Sequence, residues 1–400
     1  MKSFISLEES IEILDKNIEI LNEEEISIID ALHRIVSENI YSKINNPPFN
    51  KSAMDGYALK YESGFLDNEL KIIDKVFAGN YSKETLEENT CIRIMTGAPI
   101  PKEATAVIKQ EDVELLGDRI IIKKPLKEYE NICLEGEDIK KNSLIINKGK
   151  RLDYADIGLL ASSGIEKIKV YRKPKIAFLS TGDEILDIDC DLDYGKIYNS
   201  NKYSIISRLK ELNYDIEIIN HINDDFNEIG NFINEISKQV DIIITTGGVS
   251  VGEKDLLKEA IKVINAERIF WKINIKPGSA MLFSKVNNKP VLSLSGNPTA
   301  ALTTFELLVK PTLNKMLGEE NIEIKREKAI LKGEFKKIAN KKRYIRGHYY
   351  IEDCMQYVYI TQTKSGNGIL SSAINSNCII EINENNEVKK DGDIINIIKL

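Results

Sequence analysis

The sequence predicts a multidomain α/β protein whose central domain is built around a parallel β-sheet. Three short apolar runs, at 176–179, 242–244 and 291–294, each lead directly into a polar loop that contains glycine. Short apolar runs bounded by turn residues and separated by helical patterns are typical of buried parallel strands. Because ligands of such sheets bind beyond the carboxyl ends of the strands, the loops predict one shared site. A length of 400 residues also exceeds one ordinary core, so several domains are expected.

The first predicted region is helical and combines residues 1–45 with 140–173. Ser6 and Glu9 fit a capping box at the start of its first helix, and apolar residues then recur at helical spacing. The expected helices are 7–18, 27–36 and 154–161. The helical region is interrupted by 46–139, where short alternating runs replace the helical pattern and predict an inserted β-rich domain.

The α/β domain is predicted over 174–320 and a further β domain over 321–400. Strands and helices alternate in the former, which is typical of a parallel sheet with helical crossovers. The helices expected there are 197–212, 224–237, one after Asp255, and 297–316. An additional strand is expected at 216–219. Asn297 and Pro298 favour the start of the last helix, and Pro311 should kink it.

Composition excludes several functional classes. The net charge of −7 argues against nucleic acid as the main partner, because duplex binding requires a basic face. The five scattered cysteines contain no C-x-x-C motif, which favours reduced thiols over a structural zinc site. The acidic N-terminus shows no signal peptide and no apolar run reaches membrane-spanning length, so we expect a cytoplasmic protein and no membrane partner.

The loop at 245–255 is suited to a phosphate or another oxyanion. It offers backbone N–H groups, including those of Gly247, Gly248 and Ser250, just before a predicted helix. The sequence matches neither the P-loop nor the dinucleotide-binding pattern, which disfavours an ATPase or a dehydrogenase. A tight turn without a ligand would be an alternative for this loop alone, but three converging loops favour a site.

Carboxylates recur beside these loops. They are Asp183, Glu184, Asp224 and Asp255, with Asp55 and Asp138 farther away in the sequence. Since carboxylates repel phosphate, acids near a phosphate site usually hold Mg²⁺. Each acid alone could cap a helix, as Asp255 illustrates, but the set favours a metal or a substrate hydroxyl.

Two groups of cations are candidates for anion binding. Lys272 and Lys276 are four residues apart, so within one strand both side chains would point the same way. The segment 336–346 carries six basic residues and no acid, of which Arg343 and Arg346 are favoured because guanidinium groups match tetrahedral oxyanions. The lysines of this segment, including Lys341, are assigned to solvent. In both groups the alternative is a solvated charged surface.

The motifs of the chain resemble those of the molybdopterin molybdenumtransferase family, which includes MoeA and the E domain of gephyrin. The segments that carry the resemblance, in chain order, are 52–58 (Ser-Ala-Met-Asp-Gly-Tyr-Ala), 94–99 (Ile-Met-Thr-Gly-Ala-Pro), 136–138 (Gly-Glu-Asp), 180–184 (Ser-Thr-Gly-Asp-Glu), 246–253 (Thr-Gly-Gly-Val-Ser-Val-Gly-Glu), 270–272 (Phe-Trp-Lys), 276–278 (Lys-Pro-Gly), 296–298 (Gly-Asn-Pro) and 346–347 (Arg-Gly). No single segment is specific, but their combination is.

The resemblance implies a fold, an activity and partners. The fold has the four segments above, with a C-terminal β-barrel, and a homodimer in which the β-rich domain of one subunit closes over the α/β domain of the other. The implied activity inserts molybdate into adenylylated molybdopterin with Mg²⁺ and releases AMP. A molybdopterin adenylyltransferase is the candidate protein partner. Two alternatives remain: a non-catalytic pterin- or nucleotide-binding scaffold, and a variant that inserts tungstate. A plain adenylyltransferase would not explain 1–170 or 320–400.

The resemblance also implies site residues. The expected catalytic residues are Glu184, Asp55, Asp138 and Thr96; the expected substrate-binding residues are Asp224, Asp255, Gly247, Gly248, Ser250, Lys272, Lys276 and Arg346; the expected metal ligands are Glu184 and Asp255. Asp55 and Asp138 would reach across the dimer cleft.

Some positions depart from the family pattern. Lys276-Pro-Gly-Ser-Ala280 replaces Lys-Pro-Gly-Lys-Pro, Leu294-Ser-Gly-Asn-Pro298 replaces Leu-Pro-Gly-Asn-Pro, and Cys133 and Asn367 replace an arginine and a serine. Each lost cation removes a charged contact of roughly 1.5–3 kcal/mol. Our hypothesis is that oxyanion affinity is lower, or that tungstate is used instead. Equal molybdate affinity after Ser279→Lys would argue against it.

Overall fold

The computed structural model describes residues 2–62, 66–249, 256–320, 322–336, 341–361, 370–384 and 388–400. The chain divides into two compact units, one made of 1–23 with 171–400 and the other of 24–170. Strand β1 (Lys2–Ile5) and helix α1 (Leu7–Asn17) belong to the first of these units. The prediction had grouped them with 24–45, which belong to the second unit. The predicted cap of α1 is present, since the Ser6 hydroxyl accepts the Glu9 N–H at 3.0 Å.

The unit of residues 24–170 consists mainly of strands. They are β2 (Glu23–Ser27), β3 (Ile40–Tyr41), β4 (Lys51–Ser52), β5 (Gly56–Leu59), β6 (Glu69–Val76), β7 (Thr90–Ile94), β8 (Ala106–Lys109), β9 (Val113–Leu116), β10 (Arg119–Ile122), β11 (Ile132–Cys133), β12 (Leu144–Ile146) and β13 (Lys167–Tyr171). Six form one sheet in the order β8-β5-β7-β6-β10-β9, whose apolar core includes Leu59, Cys91 and Ile120. This sheet is the predicted β-rich insertion. A second core joins residues before it, such as Val36, to residues after it, such as Leu160.

The helices predicted for the N-terminal region are present in part. Two of the three are found, 7–18 as α1 (Leu7–Asn17) and 154–161 as α2 (Tyr154–Ser162), but 27–36 contains only a 3₁₀ turn, Ile28–Asp30. Beyond that turn, the buried Ile35 and Val36 pair in extended conformation with Arg151 and Val170. β-branched residues favour such pairing, and these long-range partners decide the local structure.

The α/β part of the larger unit contains a seven-stranded sheet. Its later elements are β14 (Ile176–Thr181), β15 (Ile185–Leu186), β16 (Ile197–Tyr198), α3 (Ser200–Glu211), β17 (Ile216–Ile222), α4 (Phe226–Ile236), β18 (Ile242–Thr246), α5 (Leu256–Val263), β19 (Glu267–Ile273), β20 (Ile275–Lys276), β21 (Met281–Val286), β22 (Lys289–Leu294), α6 (Pro298–Thr304) and α7 (Lys310–Met316). The strand order is β1-β19-β21-β22-β18-β14-β17. β22, β18, β14 and β17 are parallel, as predicted, whereas β21 runs antiparallel to β19 and β22, which makes the sheet mixed.

The helix expected over 297–316 is interrupted. Asn297 caps α6 as predicted, but a π-helical turn, Phe305–Val309, separates α6 from α7. Pro311 has no N–H to donate to the carbonyl of Leu307, and the Lys310 N–H reaches back to Phe305 instead. The irregularity predicted from Pro311 therefore appears as a change of helix type.

The C-terminal part forms a closed five-stranded barrel, as the resemblance implied. Its strands are β23 (Glu327–Lys332), β24 (Lys342–Glu352), β25 (Met355–Ile360), β26 (Cys378–Ile382) and β27 (Ile394–Lys399). They follow the order β24-β25-β23-β27-β26, and β26 pairs with β24 to close the ring. The short strand β20 adds to β24 from outside and joins the barrel to the α/β part. Among the helices of the described residues, none combines the length and the apolar character that a membrane span requires.

Candidate functional site

A cavity of about 1050 Å³ lies at the carboxyl ends of β14, β18 and β22. These three strands are neighbours in the sheet and run parallel, so the loops that follow them meet at one edge. The loops contribute Gly182, Gly248 and Ser295, among other residues, to the cavity lining. The convergence of the three glycine-containing loops is therefore confirmed.

The loop after β18 packs very closely against the other two. Gly247 has φ +94°, and a Cβ at this position would lie 2.3 Å from the Thr181 carbonyl oxygen. Its N–H donates to the Leu294 carbonyl at 3.2 Å. Only glycine fits both the left-handed backbone and the close approach. The buried Thr181 hydroxyl at this contact has no hydrogen-bond partner among the described residues.

Two of the predicted carboxylates line the cavity. Glu184 follows β14 and Asp224 follows β17. The Asp183 carboxylate between them accepts the Asp224 N–H at 3.0 Å, and the Asp183 carbonyl accepts from Lys196 at 2.7 Å. These bonds fix the two loops relative to each other, while Glu184 stays exposed at the cavity. No cluster of three or more metal-binding side chains occurs within the described ranges.

The structure separates the two lysines that were expected to share a strand face, so that expectation is wrong. Lys276 is exposed and lines the cavity. Lys272 has φ +64°, is 6% exposed, and places its ammonium group 3.6 Å from the centre of the Trp271 ring. The positive φ breaks the alternation between β19 and β20. Lys272 is therefore outside the described cavity lining.

Arg346 is also outside the described lining of the cavity. It lies on β24, is 7% exposed, and donates to the Leu302 carbonyl at 3.4 Å. Burial and the charge of Arg208 lower the pKa of the Arg346 guanidinium, although Glu306 opposes the shift. This environment is that of an interior cation held against a helix.

The other arginine favoured from the basic segment does reach the cavity. Arg343 lines it, together with the neighbouring Lys341. Neither residue was among those that the family motifs implied. The basic segment at 336–346 had already indicated Arg343, whereas Lys341 was among the lysines assigned to solvent.

Three predicted residues lie in the unit of residues 24–170. The Asp55 carboxylate accepts both the backbone N–H and the hydroxyl of Thr96 at 2.7 Å, and these hydrogen bonds lower the pKa of Asp55. The Asp138 carboxylate accepts from Asn46 at 3.1 Å. All three predicted residues, Asp55, Thr96 and Asp138, are exposed. Cys133 lies on β11. The pKa of its thiol is raised, mainly by burial and to a smaller extent by the neighbouring Glu137 carboxylate.

Three further positions, Ser250, Asp255 and Asn367, lie outside the described residues. The metal-ligand pair Glu184 and Asp255 is therefore described only for Glu184. Sequence reasoning missed two asparagines at the cavity, Asn199 and Asn201. Asn201 donates to the Gly296 carbonyl at 2.8 Å, and its buried amide oxygen has no partner in the described part of the chain.

Comparison with known proteins agrees with this architecture. Three family models match consecutive parts of the chain: the MoeA N-terminal region (domains I and II) at 5–164, the probable molybdopterin-binding domain at 177–315, and the MoeA C-terminal region (domain IV) at 328–400.

Similar full-length proteins are known from several organisms. A molybdopterin molybdenumtransferase of Haemophilus influenzae is 35% identical over 94% of this chain and 93% of its own, and one of Staphylococcus epidermidis is 36% identical over 93% and 87%. A crystal structure of a molybdopterin biosynthesis MoeA protein from Pyrococcus horikoshii OT3 has a TM-score of 0.83, 29% identity, and covers 100% of both chains. With these matches along its entire length, the chain belongs to the molybdopterin molybdenumtransferase (MoeA) family.

Proposed function

We propose that this protein is a transferase that inserts molybdate into adenylylated molybdopterin and releases AMP. The observation that carries the proposal is the cavity at the carboxyl edge of β14, β18 and β22. It combines backbone N–H groups of glycine-containing loops with the cations Lys276, Lys341 and Arg343. The pterin phosphate, the AMP group and molybdate are all anions, and such a lining attracts anions. Relatives that match nearly the whole chain carry the name of this activity.

The carboxylates in the cavity support a role for Mg²⁺. Glu184 and Asp224 line the same cavity as the cations, and Mg²⁺ in phosphate sites is typically bound by one or two carboxylates, water and the substrate. A donor set of two acids fits a metal whose coordination the substrate completes. We propose that Glu184 holds the ion, with Asp255 as the second predicted ligand. When bound, Mg²⁺ would neutralise phosphate charge near the reacting groups.

The finer features follow from the family resemblance. We propose a cytoplasmic homodimer in which Asp55 and Asp138 of one subunit act at the cavity of the other. The exposed positions of both carboxylates support this role, because each is accessible to a second molecule. A molybdopterin adenylyltransferase is the proposed source of the adenylylated substrate.

The decisive experiment supplies purified protein with adenylylated molybdopterin, molybdate and Mg²⁺, and measures the AMP that is released. Oxyanion-dependent AMP supports the transferase, and its absence favours a binding scaffold. A parallel reaction with tungstate tests the alternative that this protein inserts tungstate. That alternative comes from Ser279, which replaces a lysine of the family pattern and lies in the same cavity lining.

Glu184→Gln removes one charge without changing the size of the side chain. We expect the rate of AMP release to fall roughly a hundredfold, the scale for losing one charged group that acts on a transition state. Glu217→Gln, at an exposed position on β17, is the matched control and should keep the wild-type rate. A Glu184→Gln variant with the wild-type rate would refute the role of Glu184.

A further inference from the structure

The two asparagines at the cavity differ in how completely their side-chain amides are hydrogen-bonded. Asn199 is engaged at both ends, since its amide oxygen accepts the Lys202 N–H at 3.1 Å and its amide nitrogen donates to the Ser180 hydroxyl at 2.8 Å. Asn201 lies in the first turn of α3 and uses only its nitrogen, which donates to the Gly296 carbonyl at 2.8 Å. The oxygen of the Asn201 amide is therefore an unused acceptor.

The contact with Gly296 fixes the orientation of the Asn201 amide. A carbonyl group can only accept a hydrogen bond, so the NH₂ end of the amide must face Gly296 and the oxygen must point the other way. Gly296 is itself packed closely, because a Cβ added there would lie 3.5 Å from the Cα of Gly247 in the loop after β18. The unused acceptor therefore has a defined direction.

The amide oxygen of Asn201 is buried and has no hydrogen-bond partner within the described ranges. Asn201 is 8% exposed, yet it lines the cavity. A buried oxygen without a partner is unfavourable, because folding removes its water and supplies nothing in return. A ligand that presents an N–H group would satisfy it, whereas an ionised phosphate, which carries only acceptors, would not. Asn201 is therefore suited to an uncharged part of a ligand.

Apolar side chains next to Asn201 are suited to a planar ring. Ile197 on β16 is four residues before Asn201, and it pairs in parallel register with Ile185 on β15. Both isoleucines line the cavity, and Ile197 is 55% exposed. Covering such a side chain with the face of a ring removes apolar surface from water. Apolar walls with a small number of directional polar groups are typical of sites for small organic ligands.

We propose that Asn201 is a specificity-determining residue whose amide oxygen accepts a hydrogen bond from the exocyclic amino group of a planar heterocycle, while Ile185 and Ile197 cover the ring. The inference rests on the proposed function for the choice of rings, because the proposed substrate carries two of this kind, the pterin and the adenine of its AMP group. Both present the same chemistry. A ring with hydrogen in place of the amino group leaves the buried acceptor unpaired and is bound less tightly.

The test is equilibrium binding of two pairs of compounds to the full-length protein, measured by titration calorimetry. One pair is AMP and purine riboside monophosphate, and the other is pterin and the same oxopteridine with hydrogen in place of the amino group. The members of each pair differ only in that amino group. We expect the wild type to bind the amino member of one pair roughly 10- to 100-fold more tightly, the scale for leaving a buried acceptor unpaired.

Asn201→Ala removes the acceptor and should abolish that preference. The variant also loses the hydrogen bond to Gly296, but this structural loss weakens both members of a pair equally and leaves the ratio of their affinities unchanged. The ratio therefore separates recognition of the amino group from packing. Asn227→Ala is the matched control, because Asn227 is exposed on α4. It should keep the wild-type ratio.

The pair that shows the preference identifies the ring. A preference for AMP assigns the subsite to the adenine, and a preference for pterin assigns it to the pterin. A wild type that binds the members of each pair equally, or binds none of these compounds, overturns the proposal, and this comparison requires no variant to fold. A preference that persists in Asn201→Ala overturns it as well.

The outcome is separable from that of the proposed function. An amino-group preference that requires Asn201, in a protein that releases no AMP, would support the subsite and reject the transferase. Oxyanion-dependent AMP release from a protein without this preference would do the reverse.

Discussion

Replacing Gly247 with alanine tests whether the close approach of the three loops shapes the site. The added Cβ would lie 2.3 Å from the Thr181 carbonyl oxygen and 2.8 Å from the Thr181 hydroxyl. Relieving this overlap requires a shift of about 1 Å to restore an ordinary van der Waals distance. Since Gly247 also donates to the Leu294 carbonyl, the shift would be transmitted to the loop after β22.

The expected effect has two parts. Alanine at φ +94° costs about 1–2 kcal/mol of stability, because L-residues are strained in the left-handed region. A displacement of about 1 Å in a site that positions reactants can reduce the rate about a hundredfold. We therefore expect Gly247→Ala to remain folded and to lose about two orders of magnitude in kcat/KM for AMP release.

A matched control separates strain from overlap. Gly392 has φ +89°, and a Cβ added there meets no described atom within 4 Å. Gly392→Ala should show a comparable loss of stability in thermal unfolding while retaining the wild-type rate. The reasoning is refuted if Gly247→Ala keeps full activity, or if the two variants lose activity equally.

Two predictions concern stability and thiol reactivity. The Glu306 side chain is 4% exposed and is 2.7 Å from Arg208, so Glu306→Gln should lower the free energy of unfolding by about 3–5 kcal/mol in urea titration; a loss below about 1 kcal/mol would contradict a structural role for this buried pair. Burial raises the pKa of Cys91 to about 12, whereas Cys190 is exposed. A thiol reagent at about pH 8 should therefore modify Cys190 in the folded protein and Cys91 only after unfolding, as peptide mapping can determine; modification of Cys91 first would be the opposite result.

The location of the cavity could be predicted from the sequence because it depends on strand order. The runs at 176–179, 242–244 and 291–294 all became neighbouring parallel strands, and the polar residues that follow parallel strands must meet at one edge. Glycines in those loops, such as Gly247, marked the places where the backbone approaches closely. The apolar runs and the loop glycines are both local features of the sequence, and together they were enough to locate the cavity.

The positions of the cations could not be predicted in the same way. A lysine at positive φ, such as Lys272, is rare. The residues next to Lys272 gave no indication that the strand would be interrupted between β19 and β20. Arg343 and Arg346 are three residues apart on one strand, so they lie on opposite faces. Only the packing of the barrel decides that the face of Arg343 reaches the cavity while Arg346 is buried.

The helix expected over 27–36 failed for a related reason. The spacing of its apolar residues fits a helix, but Ile35 and Val36 pair with residues more than a hundred positions later. Such long-range pairs leave no local signal, and they override helical periodicity when the segment is short.

The two-residue strand β20 has a mechanical consequence. Its backbone is hydrogen-bonded to β24 of the barrel, and it carries Lys276 at the cavity. A displacement of the barrel would therefore move Lys276 with it and tend to preserve the distance between Lys276 and Arg343. Substitutions inside the barrel, far from any reactant, should then alter the affinity of the cavity for anions. The C-terminal domain would in this way influence the pocket although most of it lies away from the reactants.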